Sequence, residues 1–335
     1  MRIVFMGTPA SAAATLETLL GGPDEVVGVV TQPDRPAGRG QATMPSPVRR
    51  TASAAGIPVL TPRKMKAPGL LEELRGWRPD LVAVVAYGRI LPQAILDLPP
   101  LGCVNVHYSL LPRYRGAAPM QWAILEGEAV TGVTTMRLVA EMDAGPILLA
   151  EEVAMEPDET AATLEARLVP VGARLLMDTL EGVGSGSLKP RPQDPNGVTF
   201  APMLRKEDGM IDWARPASEI ERRIRAFTPW PSAFSYWQGK HVKVHGATPA
   251  PVEEAQEKDA PEAVMAAYSP AVSARQVETP GTVVRAGADG IRVATGAGAL
   301  LITELQLEGR KRMAAEAFVR GAGIQAGARF ERPPA

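Results

Sequence analysis

The chain has 335 residues, 45% hydrophobic and 22% charged, with a formal net charge of −1. That is the composition of a folded chain of about two domains, and it excludes general disorder. The single cysteine, Cys103, excludes an internal disulfide and any multi-cysteine metal site, and no apolar run approaches the roughly 18–20 residues of a membrane span.

Residues 1–6 run straight into a strand pattern, without the features of a secretory signal. Residues 2–6 (RIVFM) predict a buried strand, followed by Gly7-Thr8-Pro9 and an Ala/Leu-rich helix to about Leu20. Residues 25–31 predict a second strand. The Pro- and Gly-rich segment 32–47 is long for a connection in a compact α/β unit. Helices at 46–55 and 67–76 flank a short strand at 58–60. Residues 80–86 (DLVAVVA) form a continuous apolar run between Pro79 and Gly88, the pattern of a central parallel strand covered on both faces. A strand at 102–107, a helix at 117–126, strands near 131–139 and 146–154 and a helix at 160–182 follow.

Strands alternating with helices predict an α/β fold, a Rossmann-like open and mostly parallel sheet with helices on both faces. Ligands bind such sheets outside the carboxyl ends of the strands. No G-x-G-x-x-G follows the first strand, so the fold class does not imply a dinucleotide.

The segment 187–206 is rich in Gly and Pro turns and reads as a linker. Beyond it the pattern changes to one helix (218–227) and short strands at 233–237, 240–245, 281–285, 290–295 and 299–305, which suggest a small barrel. Residues 247–279, rich in Ala, Pro and Glu, read as an exposed loop, and residues 329–335 as a frayed tail. Residues 1–200 carry 18 basic and 21 acidic side chains, residues 201–335 carry 18 and 16, and five of those acids lie in 252–262. The second half is therefore mildly basic and suited to a polyanion, although a solvated surface explains it equally well.

The chemistry concentrates at C-V-N-V-H, residues 103–107. Alternation puts Asn105 and His107 on one face of the strand, at its carboxyl end. The stiff loop Ser109–Pro119 (SLLPRYRGAAP) follows, and Asp143 lies in a turn between two strands. Asn, His and Asp together permit acyl chemistry without a metal: Asn donates a hydrogen bond, His handles a proton, and Asp orients and charges the His. Read alone, His107 is equally a strand-end histidine and Asp143 a turn residue. Lys240–His245 places His241, Lys243 and His245 on one strand face, without the further ligands a zinc site needs.

Several stretches carry a family resemblance: FMGTP (5–9), TQPDRPAGRG (31–40), MPSPV (44–48), VVAYGRILP (84–92), NVHYSLLPRYRGAAP (105–119), MDAGPIL (142–148), IDW (211–213) and IRAFTPWP (224–231). The sequence resembles the methionyl-tRNA formyltransferases over about residues 1–320, with 247–279 unmatched.

The resemblance implies transfer of the formyl group of 10-formyltetrahydrofolate to the α-amine of methionyl initiator tRNA, with tetrahydrofolate as product and no metal. Residues 1–186 would form the catalytic domain and 207–320 a C-terminal OB-like, tRNA-binding β-barrel. Asn105, His107 and Asp143 would be the catalytic trio, with a protonated His107 and Asn105 stabilising the formyl oxyanion. Tyr87, Gly88, Ile90, Ser109, Leu110, Leu111 and Pro112 would line the folate, and Arg35, Arg39 and Lys243 would meet tRNA. The expected setting is a cytoplasmic monomer without membrane contact. A formyltransferase acting on a small amine, and a formyl-folate hydrolase, are the alternatives. Three positions depart from the family pattern: Tyr108 where a small residue is usual, Gln41-Ala42-Thr43 in place of lysines, and Glu141 in place of glycine.

Overall fold

The computed structural model describes residues 1–37, 42–250 and 278–331. It divides into two compact units, residues 1–204 and 205–335.

In the first unit the chain runs through β1 (Arg2–Gly7), α1 (Ala10–Leu20), β2 (Glu25–Val30), β3 (Arg35–Ala37), β4 (Ala42–Met44), α2 (Pro47–Ala54), β5 (Val59–Leu60), α3 (Leu70–Gly76), β6 (Leu81–Val85), α4 (Gln93–Leu96) and β7 (Cys103–His107). It continues through β8 (Arg115–Gly116), α5 (Pro119–Glu126), β9 (Val130–Arg137), β10 (Ile147–Ala154), α6 (Ala161–Gly184) and β11 (Phe200–Ala201). The main sheet has the order β10-β9-β7-β6-β1-β2-β5. Strands β5, β2, β1, β6 and β7 are parallel, while β9 and β10 are antiparallel.

Apolar content explains the centre of this sheet. Every residue of β6 is buried, and Ile3, Val4, Phe5 and Met6 of β1 have no exposed surface. A strand with helices on both faces has no polar side, so alternation gives way to a continuous apolar run. Chain order reverses at β1, which pairs with β2 on one side and β6 on the other. The carboxyl ends of β1, β6 and β7 therefore open on the crevice where such sheets take ligands.

The segment read as a linker is bonded into the first unit. Arg191 bridges Ile147, and Phe200–Ala201 forms β11, parallel to β8. Nothing periodic announces these contacts, because each is only one or two backbone pairs with a distant segment.

The second unit contains α7 (Ala217–Ala226), β12 (Ala233–Trp237), β13 (Lys240–Ala250), β14 (Val283–Gly287), β15 (Gly290–Ala294), β16 (Ala299–Leu307), β17 (Met313–Ala314) and α8 (Ala315–Ala322). Its antiparallel sheet runs β12-β13-β16-β15-β14, with β17 beside β16. Strand β13 extends past the predicted boundary, since residues 247–250 pair with 299–302 of β16. The rest of the predicted loop lies largely outside the described residues. Residues 329–331 are not frayed. Arg329 bridges Thr282 beside β14, and Glu331 bridges Tyr236 of β12, so this segment spans the two edge strands. Between them Phe330, 3% exposed, stacks on Trp213 at 5.5 Å between ring centroids. Among the described residues, no helix is long and apolar enough to cross a membrane.

Candidate active site

Strand β7 sorts its side chains by alternation. Val106 and, just past the strand, Tyr108 face α6, where both lie close to Gly172. Asn105 and His107 take the opposite face. Tyr108 therefore turns away from the His107 side, and burial pushes its phenol up to about 12. Asn105 is half-buried, and its amide has no hydrogen-bond partner among the described residues.

His107 is 5% exposed, is hydrogen-bonded at Nε2 and faces a carboxylate at Nδ1. Nε2 lies 2.9 Å from the carbonyl oxygen of Tyr114. A carbonyl only accepts, so Nε2 carries the proton. Nδ1 lies 3.8 Å from Asp143 Oδ2. Burial lowers the imidazole pKa below its ordinary 6.5, opposed by the Asp143 carboxylate and the Tyr114 carbonyl. In the free protein, burial thus works against the protonated His107 that the resemblance implies for the reacting complex. Desolvation favours the neutral ring, with its lone pair on Nδ1.

Asp143 is not a self-bonded turn residue. Its Oδ2 accepts the Gly116 N–H from β8 at 2.8 Å, and its φ is +50°. Gly116 has φ +129°, and a side-chain carbon there would lie 2.5 Å from the Ala201 carbonyl. Only glycine serves both the backbone conformation and the approach of β11.

Sequence reasoning missed the residues that surround the pair. Tyr114 has φ +60°. Its hydroxyl donates to Glu128, which also pairs with Arg113. Its backbone N–H donates to Thr199 Oγ1 at 2.8 Å. Gln193 Nε2 donates to the carbonyls of Asp143 and Gly145, both at 2.7 Å. Gln193 Oε1 accepts from Arg115 Nε at 3.1 Å and Nη2 at 2.8 Å. Arg115 also lies 3.5 Å from Glu141, so this chain's added carboxylate faces Arg115. The local signal was weak, a Gln and a Thr in a Gly- and Pro-rich stretch.

The predicted folate residues differ in what they present. Tyr87 is 2% exposed, its hydroxyl donating to Met65 Sδ, and its carbonyl accepts from Thr8 and Gln32. Gly88 has φ +74°, and Ile90 is 72% exposed. Ser109 is fully buried, its hydroxyl donating to the Arg113 carbonyl and its own carbonyl accepting from Thr134. The Leu111 N–H donates to Thr134 Oγ1, and the Leu111–Pro112 peptide is cis. Leu110 and Pro112 are half-buried.

Of the predicted RNA contacts, Arg35 lies in β3, where only the backbone is described, and Arg39 falls outside the described residues. Lys243 shares its face of β13 with His241 and His245, while Val242 and Val244 are buried behind. His241 packs on Phe234 at 4.6 Å, and His245 bonds Gln306. In α7, Arg225 is paired with Glu221 and Arg223 lies over the Phe227 ring. No group of three or more His, Cys, Asp or Glu among the described residues is placed to hold a metal.

A family model described as formyl transferase matches residues 1–180, and one described as formyl transferase, C-terminal domain, matches 203–323. The methionyl-tRNA formyltransferase of Desulfotalea psychrophila is 48% identical over 327 residues, covering 97% of this chain and 94% of that protein. The chain belongs to the methionyl-tRNA formyltransferase family. The family's Myxococcus xanthus member is 46% identical, with 96% and 95% covered. Solved structures show the same fold at lower identity. WlaRD, a sugar 3N-formyl transferase, has a TM-score of 0.62 at 16% identity, covering 93% of this chain and 99% of that one. HypX from Aquifex aeolicus, in complex with tetrahydrofolic acid, has 0.61 at 19%, covering 95% and 47%.

Proposed function

We propose that the protein transfers the formyl group of 10-formyltetrahydrofolate to the α-amino group of methionyl initiator tRNA. The carrying observation is full-length similarity to the methionyl-tRNA formyltransferases, through both units of the chain. The fold alone does not choose the acceptor, since a sugar formyltransferase shares it. High identity over the whole length favours tRNA over a small amine.

Asn105, His107 and Asp143 carry the reaction. The incoming amine loses a proton to the Nδ1 lone pair of neutral His107, and its nitrogen attacks the formyl carbon. The resulting imidazolium is stabilised by Asp143 on that side and by the Tyr114 carbonyl on the other. Negative charge gathers on the formyl oxygen, where the Asn105 amide donates. One such donor is worth roughly 3–4 kcal/mol. As the bond from the formyl carbon to folate N10 breaks, His107 returns the proton to N10, leaving tetrahydrofolate.

Folate lies along residues 87–90 and 109–112. Ile90 supplies exposed apolar surface, and the inward-turned Tyr87, Ser109 and Leu111 shape the wall rather than reach the ligand. Arg35, Arg39 and Lys243 meet tRNA phosphates, which makes binding salt-dependent. No metal takes part, and the working form is a cytoplasmic monomer, which sedimentation and cell fractionation would check.

The test uses labelled 10-formyltetrahydrofolate with initiator methionyl-tRNA, elongator methionyl-tRNA and free methionine as acceptors. Transfer to the initiator alone, cut by orders of magnitude in His107→Ala, is expected. Release of formate without transfer would make the protein a hydrolase and overturn the reading.

A further inference from the structure

His107 has two partners, and one segment reaches both. The Asp143 turn faces Nδ1, and the Tyr114 carbonyl holds Nε2. Gln193 bonds the backbone of the Asp143 turn at two carbonyls, 50 and 48 residues away in sequence. Thr199 bonds the Tyr114 N–H, 85 residues away, and its carbonyl accepts from Arg115 N. Resting on the formyl-transfer reading above, we infer that residues 193–199 form a positioning strap, in which Gln193 and Thr199 together set the two polar neighbours of the His107 ring, the hydrogen-bonded Tyr114 carbonyl and the Asp143 carboxylate 3.8 Å from Nδ1.

Backbone strain at the tethered positions supports a strap over an incidental contact. Asp143 and Tyr114 both have positive φ, at +50° and +60°. A non-glycine residue holds such a conformation only where its surroundings over-determine it. Gln193 tethers the first of those two residues and Thr199 the second. The Gln193 amide is also spent at both ends, with its nitrogen on the turn carbonyls and its oxygen on Arg115. Neither Gln193 nor Thr199 is bonded to His107 or Asn105, so both act through other residues. Misplacement of about 1 Å in a reacting group can cost about 10² in rate.

The charged groups around the pair are few. Asp143 comes from the β9–β10 turn, Arg115 with Glu141 stands behind Gln193, and Arg113 with Glu128 flanks Tyr114. Loosening either tether weakens an interaction that favours the imidazolium, so both changes move the His107 titration in the same direction.

The experiment compares Gln193→Met, Thr199→Val and Thr199→Ser in the full chain. The expected result is a fall of 10-fold or more in kcat for Gln193→Met and Thr199→Val, with KM for tRNA and folate within about twofold. Thr199→Ser, which keeps the acceptor oxygen, retains near wild-type kcat. The His107 titration, followed by NMR and assigned by its loss in His107→Asn, moves to lower pH in the first two variants only. The chain has three histidines, which keeps that spectrum simple. Unchanged kcat and titration in both variants would overturn the strap, as would Thr199→Ser behaving like Thr199→Val. The titration needs no substrate. A wild-type protein that fails to formylate tRNA would therefore sink the functional reading while the NMR still judges the strap.

Discussion

A side-chain carbon added to Gly145 would lie 1.7 Å from the carbonyl oxygen of Arg137. No rotamer relieves that overlap, because both atoms belong to the backbone frame. Gly145 is also one of the two carbonyls bonded by Gln193, so the turn that carries Asp143 passes as close to β9 as glycine allows. Gly145→Ala must push the turn outward. The expected outcome is a loss of about 1–3 kcal/mol in stability, typical of overpacking, together with a large drop in formyl transfer. Denaturant melts and single-turnover rates check it. Full activity in the variant would mean that the turn tolerates displacement.

Acid should weaken both activity and stability through His107. Its folded pKa lies below the 6.5 of an unfolded chain because burial disfavours the charged ring. The unfolded state therefore binds more protons between the folded value and 6.5, and stability rises with pH across that window. The contribution is fully present above 6.5 and is lost as the pH falls through the folded value. Formyl transfer, which needs the Nδ1 lone pair, should fall on the same acid limb. Comparing wild type with His107→Asn by thermal melts between pH 7.5 and 5 isolates this residue from His241 and His245, which burial shifts in the same direction. A stability gap between the two proteins that stays constant with pH would refute the assignment.

Asn105→Ala separates catalysis from folding. The Asn105 amide has no protein hydrogen bond among the described residues, so its loss orphans nothing in the free protein. We expect kcat to fall about 10²–10³, as for removal of one oxyanion donor, with little change in melting temperature. A destabilised variant with normal kcat would assign Asn105 a structural role instead.

Phe330→Ala tests the last residues of the second unit. Phe330 is buried against Trp213, in a core that includes Ile211, Val283 and Phe318. Emptying such a site costs about 3–5 kcal/mol. Hydrogen exchange should quicken in β12, β14 and neighbouring strands while the first unit keeps its protection. Unaltered protection throughout would mean that residues 329–331 contribute nothing to that core.

Much of the fold was legible because burial leaves a pattern in local sequence. The run at 80–86 announced β6, since both of its faces are covered. Val104, Asn105, Val106 and His107 announced their opposite faces through the two-residue period of a strand. The edges were less legible. Strand β13 continues past His245 because β16 pairs with it as far as Ala250, a condition no residue in 247–250 advertises. The order 329–331 gains from Thr282 and Tyr236 likewise comes from distant partners.

For the site, the sequence by itself determined which functional groups exist and that Asn105 and His107 share a strand face near its carboxyl end. The tertiary structure decided the state of those groups. It buried His107, which turns the ring toward neutrality, and it chose the proton's place by setting the Tyr114 carbonyl at Nε2. It also brought Gln193 and Thr199 from a stretch that reads as linker to the two partners of that ring. Periodicity records what a segment buries. A hydrogen bond between residues 50 or 85 positions apart leaves no period behind, so chemistry tuned by such bonds appears only once the chain has folded.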